Sequence, residues 1–513
     1  MGIGTIEHFV VVMMENRSFD NLLGWLYEDA ANSPPQNIPA QSPPTFDGLR
    51  AGTYSNMLDG VRVDASHPPN GWPPQNDPNV VPTPDPHEEF DHIGRQLFGI
   101  FPPAAGKEPD MSGFLADYAT TADAAVANQI MQSFGPADAG VVNALARSFA
   151  VCDRWFASVP AQTWPNRGFV HTGSSDGHIN NDDYEPYNIP TIFNVLEAQG
   201  KSWGVFYDAT LIPSLTYGQF LPQMVVHASR FHLYKIFKQR CQAQANDAPE
   251  TKLPTYSFIE PRFVPEAGLF RINYPSDYHP PHDVARGEAF LADVYQAVRS
   301  SPYRDKIMLL ITFDEHGGCY DHVPPPKGAA PPDPGSMSRD RQFDFSRFGV
   351  RVPAILVCSY VRPGTVFRAS ANEPPYDHTS ILATLRDWLA LNSDSSHPFL
   401  PSPRIASAPT LDRVLTLDNS DKNTVWPDIL PQQAAGIEDT SLKTPLNDVQ
   451  KSLIATAVRI KHMEVAVATA APALPTVQGV HAAPTLAFAD AARQAKGLNT
   501  YEDALKFLHP DMP

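Results

Sequence analysis

The chain has 513 residues, enough for a large hydrophobic core and, at ordinary domain sizes, for two or three domains. Its 56 acidic and 38 basic side chains give a net charge of −18, which argues against nucleic-acid binding and against a basic surface that adheres to anionic lipid. Four cysteines lack CxxC or zinc-ribbon spacing, so we expect buried thiols and neither a disulfide framework nor a thiolate metal site: Cys152, Cys241, Cys319 and Cys358.

No apolar run reaches the roughly 20 residues that a membrane-spanning helix needs, and residues 1–6 lack the basic and apolar regions of a signal peptide. We therefore expect a soluble protein, cytoplasmic as the chain stands or secreted if an export signal has been removed from it. Proline is common, with 53 residues, about twice its average usage. The proline pairs are interleaved with aromatic and charged residues, which predicts long ordered loops of the kind that carry pockets.

The first predicted element is a strand over residues 9–14. Its continuous apolar run, without helical or alternating periodicity, is typical of a strand buried on both faces of a parallel sheet. Glu15, Asn16 and Arg17 follow at once, before a helix predicted over 19–26. Ligands bind outside the carboxyl ends of such strands, so these residues form a candidate metal and anion site. The residues alone leave open that they only cap the helix.

Residues 32–113 are rich in loops. Within them, Asp85 through His92 is dense in side chains that can bind metal, and it opens a helix predicted to run toward Phe98. Histidine pairs in loops are more often surface groups than ligands, so this segment is a secondary candidate.

Helical patterning over 123–131 and 141–149 precedes a strand-like segment at residue 151. That segment turns into a helix predicted to begin near Pro165, because proline is favoured in a first helical turn. Thr163 then lies just ahead of a helix N-terminus, where free N–H groups favour an alkoxide and the phosphate oxygens it would attack. A simple N-cap role for Thr163 remains an alternative.

Further strands are predicted over 203–206, after a helix from Ile192, and over 256–259. The second is followed by Asp277, His279 and His282 and a helix over 285–299. The strongest strand, over 306–313, ends in Asp314 and Glu315, adjacent carboxylates that repel each other unless a cation holds them. A strand over 350–358 precedes the segment 376–378 and a helix over 381–391.

These strands alternate with helices and deliver polar residues near their carboxyl ends. The fold class predicted is therefore α/β, a three-layer and mostly parallel sheet flanked by helices. We assign residues 1–400 to a catalytic domain. Residues 401–513 form a C-terminal extension, partly helical over 446–465 and 501–508, without a catalytic cluster.

Carboxylate, amide and hydroxyl oxygens suit Ca²⁺, Mg²⁺ or Mn²⁺, and Zn²⁺ is also compatible with oxygen and imidazole ligands. Such a cation would acidify the Thr163 hydroxyl, which would attack phosphorus and form a phosphothreonine intermediate for water to hydrolyse. A histidine could protonate the departing alkoxide.

Five ordered motifs, at residues 15–20, 153–167, 279–283, 314–322 and 376–378, resemble the phosphoesterase family of bacterial phospholipases C and acid phosphatases. The chain is most similar to plant-type non-specific phospholipases C, although these tend to have a polar residue where Trp164 stands. The resemblance implies an alkaline-phosphatase-like fold, with catalytic Thr163, His279, His282 and His378. It also implies a metal shell of Glu15, Asn16, Thr163, Asp314 and Glu315, with His87, Arg17 and Asn166 as substrate-binding residues.

The implied reaction is hydrolysis of the phosphodiester of a glycerophospholipid to diacylglycerol and a phosphorylated head group. An acid phosphatase acting on monoesters is the alternative, and a catalytically silent binding protein is a second one. A sulfatase is less expected, since no Cys-x-Pro-x-Arg run is present. Transient contact with a membrane surface could use the loop aromatics Trp72, Phe98 and Phe101, or these could pack under the loops. Oligomeric state and metal number stay open.

Overall fold

The computed structural model describes residues 2–28, 33–67, 81–123, 126–181, 185–268, 272–392, 399–431, 442–469 and 493–509, with side chains in 462–469 left out. Trp72, named above as a candidate for membrane contact, lies outside these ranges, as do residues 124 and 125 of the helix predicted over 123–131. Within the remainder of that segment, Ala127–Met131 form a 3-10 helix.

The strands, in chain order, are β1 (His8–Met14), β2 (Gln36–Ile38), β3 (Ser55–Leu58), β4 (Val61–Asp64), β5 (Ala150–Cys152), β6 (Trp155–Phe156), β7 (Trp203–Tyr207), β8 (Phe231–Leu233), β9 (Tyr256–Glu260), β10 (Glu266–Ala267), β11 (Ile272–Asn273), β12 (Ile307–Phe313), β13 (Ala354–Val357), β14 (Thr365–Phe367) and β15 (Tyr376–Asp377). Nine of them form the central sheet in the order β2-β14-β5-β13-β12-β1-β9-β7-β8. The predicted class, a mostly parallel sheet flanked by helices, is confirmed.

The middle of the sheet is the pair β1 and β12, whose parallel register runs from His8 opposite Ile307 to Met14 opposite Phe313. Every residue of β12 is buried, which explains the continuous apolar run. The strand predicted over 350–358 is the shorter β13, and it runs antiparallel to β12 and β5 within the mostly parallel sheet. A doubly buried strand has the same apolar pattern in either direction, so its sequence does not reveal its polarity.

The helices are α1 (Phe19–Leu23), α2 (Phe90–Phe98), α3 (Phe114–Tyr118), α4 (Gly140–Ser148), α5 (Thr163–Thr172), α6 (Ile192–Ala198), α7 (Leu215–Gln219), α8 (Leu221–Met224), α9 (Tyr234–Cys241), α10 (Val284–Arg299), α11 (Thr379–Trp388), α12 (Pro403–Ser407), α13 (Asp448–Thr469) and α14 (Tyr501–Leu508). Most predicted helices are present with shifted ends. The shift that matters is in α5, which begins at Thr163 and not near Pro165.

The C-terminal helices share the main hydrophobic core. Val449, Leu453 and Ile454 of α13 are fully buried in the same cluster as β1 and β12. The indole Nε1 of Trp164 in α5 donates to the Ser452 hydroxyl at 3.2 Å. The segment after residue 400 thus packs on the sheet-bearing part of the chain, while a domain boundary at that residue stays a prediction.

All four cysteines are buried and free, as expected from their spacing. Among the described residues, none of the helices has both the length and the apolar character that crossing a bilayer requires.

Candidate active site

The site is built where β1 and β12 end side by side. Because their register pairs Met14 with Phe313, the residues that follow, Glu15 and Asp314, emerge at one edge of the sheet. The backbone N–H of Asn16 donates to Asp314 Oδ1 at 3.2 Å. Asn16 has a φ of 57°, the left-handed region that asparagine tolerates better than most residues. The expected proximity of these strand ends is present in the structure.

Thr163 meets this edge at the start of α5. Its hydroxyl donates to Asn16 Oδ1 at 3.5 Å, and the residue is buried. Gln162 is the N-cap, without a side-chain cap hydrogen bond, so Thr163 is itself the first helical residue. A hydroxyl in the first turn still faces the positive end of the helix dipole.

Arg167, which was not among the predicted site residues, lies on the same face of α5. It is fully buried, and its Nε is 3.1 Å from Asp314 Oδ2 while its Nη2 is 3.4 Å from Glu15 Oε1. Residues four apart are neighbours on a helix surface. The spacing between Thr163 and Arg167 could therefore have identified Arg167 as a site residue from the sequence. Arg167 provides fixed positive charge between two of the carboxylates.

Glu315 points into the same cluster. Its Oε2 accepts the Gly317 N–H at 2.7 Å and lies 3.2 Å from His316 Nδ1. Gly317 has a φ of +59°, and a Cβ there would come 2.2 Å from the Asn16 carbonyl oxygen. Only glycine fits that turn, which holds the Glu315 segment against the end of β1.

Three buried carboxylate oxygens at this edge lack a hydrogen-bond partner among the described residues: Glu15 Oε2, Glu315 Oε1 and Asp277 Oδ2. A buried polar atom left unpaired costs free energy, and ionised oxygens of this kind are the ligands of hard cations. The donor set therefore fits a divalent cation, with Glu15, Asn16, Thr163, Asp314 and Glu315 as the candidate ligands.

Electrostatics point the same way. Burial, reinforced by the nearby Asp314, raises the pKa of Glu15 well above its ordinary value, although Arg167 opposes the shift. Burial also raises the pKa of Asp314 to about 6, again against the effect of Arg167. Without a bound cation, ionising all of these buried and closely spaced carboxylates is unfavourable, because they repel one another and are removed from water.

The three predicted catalytic histidines surround the cluster. His279 has its Nε2 2.9 Å from Asn16 Nδ2 and its Nδ1 2.7 Å from the Pro280 carbonyl. Burial, helped by the neighbouring His282, lowers the pKa of His279 well below its ordinary value. His279 is thus the histidine placed directly against the Asn16 amide.

His378 reaches the edge by another route than a strand end of the central sheet. The short pair β6 and β15 sets Phe156 beside Asp377, and the next residue, His378, has its Nε2 2.6 Å from the Asp314 carbonyl oxygen. Burial lowers the pKa of His378 to about 4. The His378 ring therefore stabilises the position of the backbone at Asp314, which follows β12.

His282 is held from two sides. Its Nδ1 is 2.5 Å from Asp277 Oδ1, and its Nε2 is 3.3 Å from Nε2 of Gln450 in α13. The same Gln450 amide donates to the Phe263 carbonyl at 2.8 Å. The C-terminal extension, which carries no catalytic cluster of its own, thus contacts a predicted catalytic histidine, and its sequence gave no sign of this.

The segment Asp85 through His92 divides between the site and the surface. His87 stacks on His92 with ring centroids 3.7 Å apart, and its Nδ1 is 3.6 Å from Glu89 Oε2. The buried neighbour, Glu88, instead accepts from Asn16 Nδ2. The sequence singled out His87, but a loop has no periodicity to show which of its residues turns inward. A substrate-binding role for His87 stays a prediction.

Arg17 and Asn166 are deeply engaged with the protein. Arg17 donates through Nε to the Tyr278 carbonyl at 2.7 Å and through Nη1 to Asn21 Oδ1 at 3.1 Å. The Asn166 amide accepts from the Val159 N–H at 3.1 Å and donates to the Ala161 carbonyl at 2.7 Å. Both residues are fully buried, and Arg17 Nη2 lacks a hydrogen-bond partner among the described residues; their predicted contact with substrate stays a prediction.

A second group of possible ligands, Asp20, Asp321 and His322, lies beside α1. Arg351 fills its centre, with Nη2 2.9 Å from Asp20 Oδ1 and Nε 3.0 Å from Asp321 Oδ1. Since the guanidinium already supplies the positive charge, this group is a buried ion-pair network.

Comparison with known proteins defines the class of enzyme. The chain is a phosphoric-ester hydrolase and belongs to the Phosphoesterase family, whose model matches residues 6–392. Non-specific phospholipase C1 of Arabidopsis thaliana is 35% identical over 461 residues, which cover 88% of this chain and 79% of the relative. Non-specific phospholipase C4 of the same plant is 34% identical, with 81% and 72% covered.

More distant similarities extend to bacteria. Phospholipase C B of Mycobacterium tuberculosis is 25% identical over 429 residues, covering 74% of this chain and 73% of the relative. A solved structure of a protein in the alkaline phosphatase superfamily from Vibrio parahaemolyticus superposes with a TM-score of 0.30 at 11% identity, covering 53% of this chain and 65% of that chain. The family resemblance expected from the five motifs is confirmed.

Proposed function

We propose that this protein is a phospholipase C that hydrolyses the phosphodiester of glycerophospholipids to diacylglycerol and a phosphorylated head group. The observation that carries the proposal is the meeting of the Thr163 hydroxyl with Asn16 beside carboxylate oxygens that lack partners. Relatives of similar length are named non-specific phospholipases C, which supports the same reaction.

Thr163 Oγ is the nucleophile in this scheme. It loses its proton to water and forms a bond to phosphorus, the bond from phosphorus to the diacylglycerol oxygen breaks, and a protonated histidine gives that oxygen a proton. The intermediate is a phosphothreonine that still carries the head group. Water then attacks phosphorus, releases the phosphorylated head group and restores the Thr163 hydroxyl.

A divalent cation, held by Glu15, Asn16, Thr163, Asp314 and Glu315, would lower the pKa of the hydroxyl and neutralise charge on the phosphoryl oxygens. We favour Ca²⁺, Mg²⁺ or Mn²⁺ because the donor atoms are all oxygens, with Zn²⁺ as the alternative. The leaving-group acid is one of the three predicted histidines, His279, His282 and His378. His279 lies against the same Asn16 amide as Thr163.

An apolar groove of about 500 Å³ supports a lipid substrate. Its lining includes Phe90, Leu97, Phe101, Pro160 and Phe343. Phe90 begins α2 two residues after Glu88, and Pro160 precedes Thr163 by three, so the groove borders two segments that form the site. A groove whose lining includes several aromatic rings suits acyl chains, which a soluble monoester lacks.

Contact with a membrane surface would use the loop after α2. Ile100 is 59% exposed there and Phe101 is half-buried, whereas Phe98 is buried inside. Of the two predicted aromatics that the structure describes, Phe98 and Phe101, the second is therefore the better placed to meet lipid.

The direct test compares release of phosphocholine from phosphatidylcholine vesicles with release of phosphate from a soluble monoester. We expect the lipid to be cleaved with the higher kcat/KM. Phe343→Ala should lower kcat/KM for long-chain lipid and leave that for a soluble diester unchanged. Cleavage of the monoester alone would favour the acid phosphatase and overturn the lipid assignment.

A further inference from the structure

Glu88 is a buried carboxylate that the scheme above does not use. It is 6% exposed, and two further acidic residues, Glu315 and Asp85, lie near it. A buried carboxylate costs free energy unless it has hydrogen-bond partners. The partners of Glu88 indicate its function.

Each oxygen of Glu88 faces a side-chain amide. Oε1 is 3.5 Å from Nε2 of Gln162, the residue before the nucleophile. Gln162 cannot present its oxygen there, because that oxygen already accepts the backbone N–H of Asn181 at 2.9 Å. The other oxygen, Oε2, accepts from Asn16 Nδ2. Glu88 therefore acts as an acceptor on both sides.

These contacts decide which way the Asn16 amide faces. The second Asn16 N–H meets His279 Nε2 at 2.9 Å, and that nitrogen is an acceptor if Nδ1 donates to the Pro280 carbonyl at 2.7 Å. With both N–H groups engaged, the Asn16 oxygen faces the Thr163 hydroxyl. A flipped amide would set its oxygen against the Glu88 carboxylate, which is repulsive.

We propose that Glu88 is a positioning residue that locks the Asn16 amide with its oxygen toward the cation site and Thr163. This inference rests on the proposed function, because it assigns Asn16 as a cation ligand. Residues that orient a metal ligand commonly change affinity about 10- to 100-fold when they are replaced. The structure offers a control three residues away, since Asp91 pairs with Arg95 at the surface, with Nη2 2.9 Å from Oδ2.

The test is calorimetric titration of the full chain with Ca²⁺, Mg²⁺ and Mn²⁺, which requires no turnover. We expect Glu88→Gln to weaken the cation affinity about 10-fold or more and Asp91→Asn to leave it unchanged. The exchange variant Asn16→Asp/Glu88→Gln restores an amide–carboxylate pair with the same total charge. It should bind the cation more tightly than the sum of its single-variant losses predicts.

An affinity in Glu88→Gln equal to that of the wild type overturns the role of Glu88 and leaves the proposed function standing. An exchange variant whose loss of binding free energy for the cation equals the sum of the two single-variant losses also overturns the role of Glu88. A wild-type protein that binds none of the three cations overturns both proposals. If Glu88→Gln fails to fold, the exchange variant and Asn16→Asp still give the comparison, with recovery expected only in the exchange variant.

Discussion

Arg167 forms ion pairs with two buried carboxylates, and their removal should lower the stability of the protein by an amount that can be estimated. Replacing it with Met keeps the length of the side chain but leaves Glu15 and Asp314 without the guanidinium that now lies 3.4 and 3.1 Å away. All three side chains are fully buried. Breaking a buried ion pair by removing one partner costs about 3–5 kcal/mol, so we expect Arg167→Met to lower the free energy of unfolding by about that amount.

Urea unfolding, followed by tryptophan fluorescence, measures this loss in chelator and again with saturating divalent cation. The cation should reduce the loss, because it supplies positive charge to the same two carboxylates. Arg167→Lys is the control: it keeps the charge without the fork of donors and should lose less. A loss in Arg167→Met below about 1 kcal/mol would refute the ion-pair account. A loss of equal size with and without cation would show that packing, such as the contact with the Phe263 ring at 5.3 Å, is responsible.

Three further predictions follow from other parts of the molecule. Divalent cation at 100 times its Kd should stabilise the wild type by about 2.7 kcal/mol, as measured by thermal unfolding, and Glu15→Gln should lose most of this gain. Although burial opposes it, Asp20 raises the pKa of His322 to about 9. The stabilisation that His322 contributes should therefore be fully present below about pH 6.5, and the free energy of unfolding should fall by about 3 kcal/mol as pH rises through 9. His322→Gln should remove that dependence in urea unfolding at several pH values. Gln450→Leu should lower kcat about 10-fold by releasing the His282 ring, whereas Lys451→Gln on the same helix should not change it.

For each of these three predictions, one experimental outcome would contradict it. An undiminished cation effect in Glu15→Gln would remove Glu15 from the ligand set. A pH dependence that survives in His322→Gln would place the titrating group elsewhere. Unchanged kcat in Gln450→Leu would reduce the contact between α13 and His282 to a structural one.

The sequence predicted the centre of the fold because β1 and β12 are buried on both faces and therefore appear as unbroken apolar runs. The same property hid the direction of β13, since burial on two faces leaves no mark of strand polarity. The start of α5 was placed near Pro165 by the preference of proline for a first turn. In the structure Pro165 is the third helical residue, so the turn begins at Thr163.

The candidate site was predictable where residues follow a strand directly, as Glu15 and Asp314 do. It was predictable in part on α5, where helical spacing could have added Arg167 to Thr163. It was not predictable for Glu88, since neighbouring residues of an irregular loop can face either way. Nor was it predictable for Gln450, which reaches His282 across 168 positions of sequence.

The central claim is that Thr163 takes the phosphoryl group from the substrate. Acid quenching during turnover of phosphatidylcholine, followed by mass spectrometry of the peptide that contains residue 163, tests it directly. The account predicts phosphocholine esterified to Thr163 and none in Thr163→Val. A simple phosphoryl group on Thr163, formed only from a monoester, would indicate the phosphatase instead. A modified residue elsewhere, together with undiminished turnover in Thr163→Val, would contradict the account.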